Sequence, residues 1–348
     1  MNHQTSGPPV GVIGMGTYLP RGRRTNAEVV GPLDITPEWV AERTGVLTRY
    51  VAGPEEAASD LASAALCRAA AAADVDMADI DLLVCATSTP DELGPATACR
   101  VQAQTGARRA VALDVTAACS GWLFAAKVAR DWLRDDPTLR LAAVIGVEAY
   151  SKFLNPRDRG TAVLFGDGAA AAILGPVDDG GFGSFRLGSD GTGAHHVLIP
   201  AGGSRRPASE LTLREAGHTV HMDGRAVRDF IVDVFPRLVE ETLKENALEL
   251  DDLDAVITHQ PNPSLLRGIG ERMGIPPGRL VITGDEVGNI GAASAPYALA
   301  TAAGRGVLRA GDRVLVAVFG AGLTWGSTLL SWTGARSCGA VGPSVPPT

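Results

Sequence analysis

The chain has 348 residues, 45% of them hydrophobic, 20% charged and only 5% aromatic, with 42 glycines. This balance excludes a disordered tail protein, a coiled coil and a disulfide scaffold, and the length allows two domains or two halves of one large domain. Lys and Arg number 31 against 39 Asp and Glu, and the resulting charge of −8 argues against a nucleic-acid partner. The five Cys (67, 85, 99, 119 and 338) form no CxxC pair and no secretory signal opens the chain, so a reducing cytoplasm is the expected compartment.

Residues 1–8 read as a loose leader. Beyond them, apolar strand-like runs alternate with helical stretches: VGVIGMG (10–16), a helix over Ser59–Ala73, LLVCATS (82–88), AVALDV (110–115), a helix over Gly121–Arg134, LAAVIGV (141–147) and AAAAILG (169–175). Such alternation predicts an α/β fold with covered sheets. Gly14-Met15-Gly16 is no dinucleotide fingerprint, because Leu19-Pro20 stands where the third Gly and a helix belong. His195 and His196 are adjacent, with no carboxylate partner evident, and neighbours on a strand would face opposite ways, so no metal site is expected there. Val314 to Ala335 runs 22 residues without a charge, long enough to span a bilayer. Its glycines divide it, and VLVAVF and STLLSW read instead as buried strands about a glycine turn, so no membrane span is expected. Residues 334–348, rich in Gly and Pro, read as a flexible tail.

An internal repeat organises these elements. Residues 74–121 and 248–294 each follow a helix and read acidic turn, buried strand, polar strand end, helix, strand, then a small-residue loop into another helix. Asp81 precedes Cys119 by 38 positions and Asp254 precedes Asn289 by 35. The pattern predicts two duplicated halves, 9–178 and 179–333.

In matching halves, matching loops meet, and ligands of α/β folds bind at the carboxyl ends of strands. Cys119, His259 and Asn289 occupy such ends, and together they make a nucleophile with two hydrogen-bonding partners. Cys119 also precedes the helical run GWLFAAKVARDWL, where the macrodipole would lower its pKa. Local sequence alone favours a buried structural thiol, the commonest fate of a free Cys, and a strand-end His is more often structural.

At these residues the chain resembles the β-ketoacyl-acyl carrier protein synthase III group of thiolase-fold condensing enzymes. The resemblance spans residues 10–332 and rests on ordered motifs: EWVAERTGV (38–46), DVTAACSGW (114–122), RDRGTAVLFGDGAAAAIL (157–174), HQPN (259–262), GNIGAAS (288–294) and FGAGLTWGS (319–327). It implies a five-layered α-β-α-β-α fold of two halves and a homodimer. It implies that Cys119 takes an acyl group from acyl-CoA, and that a malonyl thioester on acyl carrier protein or CoA then loses CO₂ and condenses with it. His259 and Asn289 would hold the enolate, and the backbone N–H groups of Cys119 and Ala321 would form the oxyanion hole. Trp39 and Arg159 match residues that sandwich the adenine of CoA, Arg43 matches one at its phosphates, and Leu93 and Phe165 match positions of the acyl pocket. No metal, flavin or nicotinamide is called for; acyl-CoA enters as substrate.

Some positions depart from the family pattern. Pro263-Ser264 replaces a Leu-Arg, Glu271-Arg272 replaces a Lys pair, and 87–99 looks one residue longer, so the carrier-docking face is less basic and acyl preference is open. Polyketide or other secondary metabolism competes with fatty-acid initiation as the setting. An alternative chemistry passes the acyl group from Cys119 to a hydroxyl or amine, with His259 as base.

Overall fold

A computed structural model of the chain describes residues 7–341; the leader before Gly7 lies outside them. The chain enters on β1 (Val10–Leu19), followed by β2 (Gly22–Thr25), α1 (Asn26–Val29), α2 (Pro37–Thr44) and β3 (Thr48–Val51). Next come α3 (Ala58–Ala73), β4 (Leu82–Ala86), α4 (Thr97–Thr105), β5 (Val111–Val115), α5 (Gly121–Asp135), β6 (Ala142–Ala149) and β7 (Asp167–Pro176). Then follow β8 (Gly181–Ser189), β9 (Val197–Leu198), α6 (Glu210–Arg214), β10 (His221–Met222), α7 (Gly224–Glu245), β11 (Ala255–Thr258) and α8 (Pro263–Arg272). The chain closes with α9 (Gly284–Val287), α10 (Ser294–Gly304), β12 (Arg313–Gly320), β13 (Thr324–Ser331) and β14 (Arg336–Val341).

Two sheets carry the architecture, one ordered β14-β1-β7-β6-β4-β5 and one ordered β11-β12-β13-β8. Period-two alternation sends each strand's side chains to opposite faces. On β6, Ala142 and Val144 join a core containing Trp122 and Leu123 of α5 and Ala298 and Leu299 of α10. Its Ala143, Ile145 and Val147 pack on the other face with Leu61, Ala65 and Ala69 of α3 and Val101 of α4. On β12, Val314, Val316 and Val318 enter the first core, while Leu315, Ala317 and Phe319 meet Phe235 and Leu238 of α7 and Ile269 of α8. The layers are therefore α3/α4, sheet, α5/α10, sheet, α7/α8: the five-layered thiolase-like fold. Strands covered on both faces explain the near-continuous apolar runs in the sequence.

The charge-free stretch 314–335 is the antiparallel pair β12–β13, with Val314 opposite Leu330 and Gly320 opposite Thr324. No helix among the described residues is long and apolar enough to cross a membrane.

Three sequence expectations need correction. The second repeat lacks its full second strand: Leu280 makes a single parallel bridge with Val256. The reason is Gln260, whose amide donates to the Val281 carbonyl at 3.0 Å and accepts from the Thr283 N–H at 3.1 Å, occupying groups a strand would offer to a neighbour. The tail is not loose from residue 334. Arg336–Val341 pairs in parallel with β1, whose edge would otherwise present unpaired N–H and C=O groups. Residues 342–348 lie outside the described part. Finally, His195 and His196 sit in a turn rather than on a strand, with ring centroids 4.2 Å apart.

Candidate active site

Three loops bring Cys119, His259 and Asn289 to one cavity of about 690 Å³, lined also by Ser88, Tyr150, Phe165, Gly320 and Ala321. Cys119 lies in a single 3-10 turn, 118–120, that runs directly into α5. Ala118 before it adopts a φ of 47°, a region non-glycine residues rarely enter, and the neighbouring contacts hold it there. Thr324 Oγ1 lies 3.1 Å from the carbonyl oxygens of both Ala117 and Ala321, and Ser120 Oγ donates to the Thr324 carbonyl at 3.2 Å. The cysteine turn and the glycine turn are thus tied together. Gly320 presses on the same place: a Cβ there would sit 2.8 Å from the Cys119 nitrogen. Ala321 is not among the residues with positive φ, so its side chain costs no backbone strain.

His259 follows β11, its N–H donating to the Ala317 carbonyl at 3.2 Å and its ring edge-on to Phe319 at 5.7 Å. It is 2% exposed and its Nδ1 has no partner within the described protein. Burial pulls its pKa down to about 3, so the imidazole is neutral at physiological pH. Of the rest of HQPN, Pro261 and Asn262 also line the cavity, and Gln260 and Asn262 brace the local fold. Asn262 caps α8 by accepting the Leu265 N–H at 2.8 Å and donates from Nδ2 to the Arg43 carbonyl at 3.1 Å. Pro263 occupies the first turn of α8, where no backbone donor is needed, so this departure is compatible with the helix.

Asn289 is held by its backbone, which exchanges bonds with Leu164 and Gly166 on either side of Phe165. Gly288 makes this approach possible with a φ of 75° and a position where a Cβ would lie 2.8 Å from the Leu164 carbonyl oxygen.

The electrostatics correct one expectation. Burial pushes the Cys119 thiol well above its ordinary range and nearby Glu148 adds to it, while the local backbone and the Tyr150 hydroxyl act the other way. Burial and the helix N-terminus thus act on this thiol in opposite directions. Glu148 is itself fully buried, raised by desolvation to about 8. It accepts from Thr89 Oγ1 at 2.8 Å, from the Ser88 N–H at 3.1 Å and from the Ala292 N–H at 3.3 Å, joining the two halves behind the cavity.

Toward the mouth, Trp39, Arg43 and Arg159 also line the cavity. Trp39 and Arg43 are four residues apart on α2 and so share a face. The Arg159 guanidinium carbon lies 5.9 Å from the Trp39 ring centroid. Phe165 lines the inner end; Leu93 does not line this cavity, being 86% exposed on the loop before α4. Among the described residues no group of three His, Cys, Asp or Glu is arranged to hold a metal.

Residues 113–191 match the family described as 3-oxoacyl-[acyl-carrier-protein] synthase III, and residues 243–332 match its C-terminal family. A β-ketoacyl-[acyl-carrier-protein] synthase III of Symbiobacterium thermophilum is 42% identical over 93% of this chain and 98% of its own. The chain belongs to the β-ketoacyl-acyl carrier protein synthase III family. Among solved structures, the synthase III of Pseudomonas aeruginosa PAO1 aligns with a TM-score of 0.85 at 34% identity, covering 97% of this chain and 100% of that one. The priming β-ketosynthase of the R1128 polyketide pathway aligns with a TM-score of 0.85 at 31% identity, covering 94% and 97%. This synthase III is accordingly an acyltransferase.

Sequence reasoning missed Glu148, Tyr150, Ser88 and Arg228, all at or behind this synthase III cavity. Glu148 stands at the carboxyl end of buried β6, and Tyr150 and Ser88 follow β6 and β4, so the strand-end rule that selected Cys119 and His259 applied to them as well. Arg228, on the first turns of α7, carried no comparable signal.

Proposed function

We propose that the protein is a decarboxylative condensing enzyme working through an acyl-Cys119 thioester. The Cys119 sulfur attacks the thioester carbon of acyl-CoA, the bond to the CoA sulfur breaks, and the thiol proton leaves with CoA. The backbone N–H groups of Cys119 and Ala321 stabilise the oxyanion formed in that step. A malonyl thioester, on acyl carrier protein or CoA, then takes the CoA position and loses CO₂. His259 and the Asn289 amide donate to its thioester oxygen, and the enolate carbon attacks the acyl carbon and expels the Cys119 thiolate, which is reprotonated.

The observation that carries this reading is the convergence of Cys119 with two neutral donors on one cavity. A histidine held near pKa 3 is a weak base at neutral pH, which favours hydrogen-bond donation over proton abstraction from an alcohol or amine acceptor. Trp39, Arg159 and Arg43 form the nucleotide end of the acyl-CoA site, and Phe165 borders the acyl group. Residues 9–178 and 179–333 act as the two halves, in a cytoplasmic homodimer.

Intact-protein mass spectrometry with a panel of acyl-CoAs tests the first step. An acyl-sized gain that vanishes in Cys119→Ser supports it; no adduct from any acyl-CoA or acyl-carrier donor overturns it. Malonyl-CoA or malonyl carrier added next should give CO₂ and a β-ketoacyl product. Acyl transfer to a hydroxyl or amine without CO₂ would favour the alternative chemistry.

A further inference from the structure

Arg49 on β3 is 2% exposed, the one Arg or Lys buried among the described residues. No carboxylate there pairs with it, and neutral groups alone answer its charge. Its Nη1 donates to Asn26 Oδ1 at 2.8 Å and, at 3.4 Å, to the Arg24 carbonyl, while Nη2 donates to the Val163 carbonyl at 2.6 Å. Its Nε is buried without a partner, and burial pulls the guanidinium down to about 10, still a cation at neutral pH.

A buried cation is costly, and an apolar side chain of similar size is often as good for stability. What this guanidinium reaches is the support of Asn289. Val163 precedes Leu164, whose carbonyl accepts the Asn289 N–H at 2.8 Å, and the Gly166 N–H donates to the Asn289 carbonyl at 3.0 Å. The Arg49 stem lies against both glycines of this junction: a Cβ at Gly166 would be 3.1 Å, and one at Gly288 3.2 Å, from Arg49 Cβ. Its chain neighbours hold the far side of the loop, the Leu47 N–H donating to the Asp285 carbonyl at 2.8 Å and Thr48 Oγ1 to the Glu286 carbonyl at 2.5 Å. Asn26 anchors the other end of the guanidinium, its own Nδ2 donating to the Val46 carbonyl at 2.9 Å. The turn of Cys119 is fastened differently, by Thr324 and Gly320.

We propose that Arg49 is a positioning residue for the malonyl half-reaction, fixing segment 163–166 and through it the Asn289 amide. It meets no reacting atom and passes no proton. The inference rests on the reading of Asn289 as an enolate donor and adds the group that holds this donor in register. Such a donor works only when aimed at the developing oxyanion, so a shift of about 1 Å in its support is enough to cost roughly 100-fold. The guanidinium supplies what an apolar side chain of its size would not: directed bonds to Val163 and Asn26 from one rigid plane.

The test separates the two half-reactions in the full chain. Arg49→Met nearly keeps the length of the side chain and removes its donors. Single-turnover acyl loading from acyl-CoA, followed by intact-protein mass, should stay within about threefold of wild type. CO₂ release from acyl-enzyme at saturating malonyl thioester should fall by about 10- to 100-fold. Combined with Asn289→Ala, the variant should release CO₂ no more slowly than Asn289→Ala alone, because both changes remove one function. Asn26→Ala, which frees the other end of the guanidinium, should give the same split by about fivefold, a second route if Arg49→Met folds poorly. A merely structural role would slow both half-reactions alike and multiply with Asn289→Ala. Either result, or unchanged CO₂ release in both Arg49→Met and Asn26→Ala, overturns the proposal. Unchanged release in Asn289→Ala overturns the donor reading and this proposal together, whereas slow release in Asn289→Ala with normal release in Arg49→Met overturns this proposal alone.

Discussion

Asn289 Oδ1 accepts the Gly291 N–H at 2.9 Å, which orients the amide so that Nδ2 is its free donor at the cavity. An aspartate in this place would still accept from Gly291 but would present an oxygen, and a charge, to a developing enolate. Asn289→Asp and His259→Ala should each leave acyl loading within about threefold of wild type. Each should slow malonyl decarboxylation by roughly 100- to 1000-fold, the usual loss for an oxyanion donor. Release of CO₂ from acyl-enzyme reads this directly; unchanged release in both variants would refute the paired-donor assignment.

The stacking of Arg159 on Trp39 predicts a defect in KM rather than in kcat. Trp39→Ala should raise KM for acyl-CoA by about 3- to 30-fold with little change in kcat, in line with one cation–π or stacking contact. The same variant should match wild type with acyl-pantetheine, which lacks the nucleotide. An equal defect with both donors would place the effect elsewhere.

Gly320 lies against the backbone of the nucleophile turn. A methyl there would be 2.8 Å from the Cys119 nitrogen and 3.0 Å from that of Ser120, both backbone atoms that cannot swing away. Gly320→Ala should therefore displace the two oxyanion donors and lower kcat for acyl loading by about 100-fold or more. Steady-state kinetics with circular dichroism separates this from unfolding: an active, folded variant would be incompatible with it.

The buried ionisable groups impose opposite pH dependences on stability. His259 titrates near 3 in the folded chain against an ordinary 6.5, so the unfolded chain binds more protons between those values and stability falls as pH drops through that window. Glu148 titrates near 8 against 4.5, so the folded chain holds the extra proton and stability falls as pH rises from 4.5 toward 8. Urea melts of His259→Gln should show a flatter acid limb than wild type, and those of Glu148→Gln a flatter alkaline limb. Parallel curves for wild type and variants at both ends would contradict these assignments.

Much of this was legible in the sequence because it depends on local periodicity and spacing. Alternating apolar runs marked β1, β4 to β7 and β12–β13, and the duplicated pattern with strand-end logic marked Cys119, His259 and Asn289. Trp39, Arg43 and Arg159 were marked by the family resemblance of the motifs that carry them, EWVAERTGV and RDRGTAVLFGDGAAAAIL. What only the tertiary structure decided involves contacts across long sequence separations. Burial raises the pKa of the Cys119 thiol, against the local pull of its own helix. Tyr150 and Ser88 share a cavity with Cys119 only through the fold, and Leu93 fell outside that cavity because its loop lies at the surface. The stretch after Trp332 is composed like a tail, yet it pairs as β14 because β1 offered a free edge. Local chemistry sets which residues are able to act; desolvation and packing, which have no signature in a short window, set the state in which they do so.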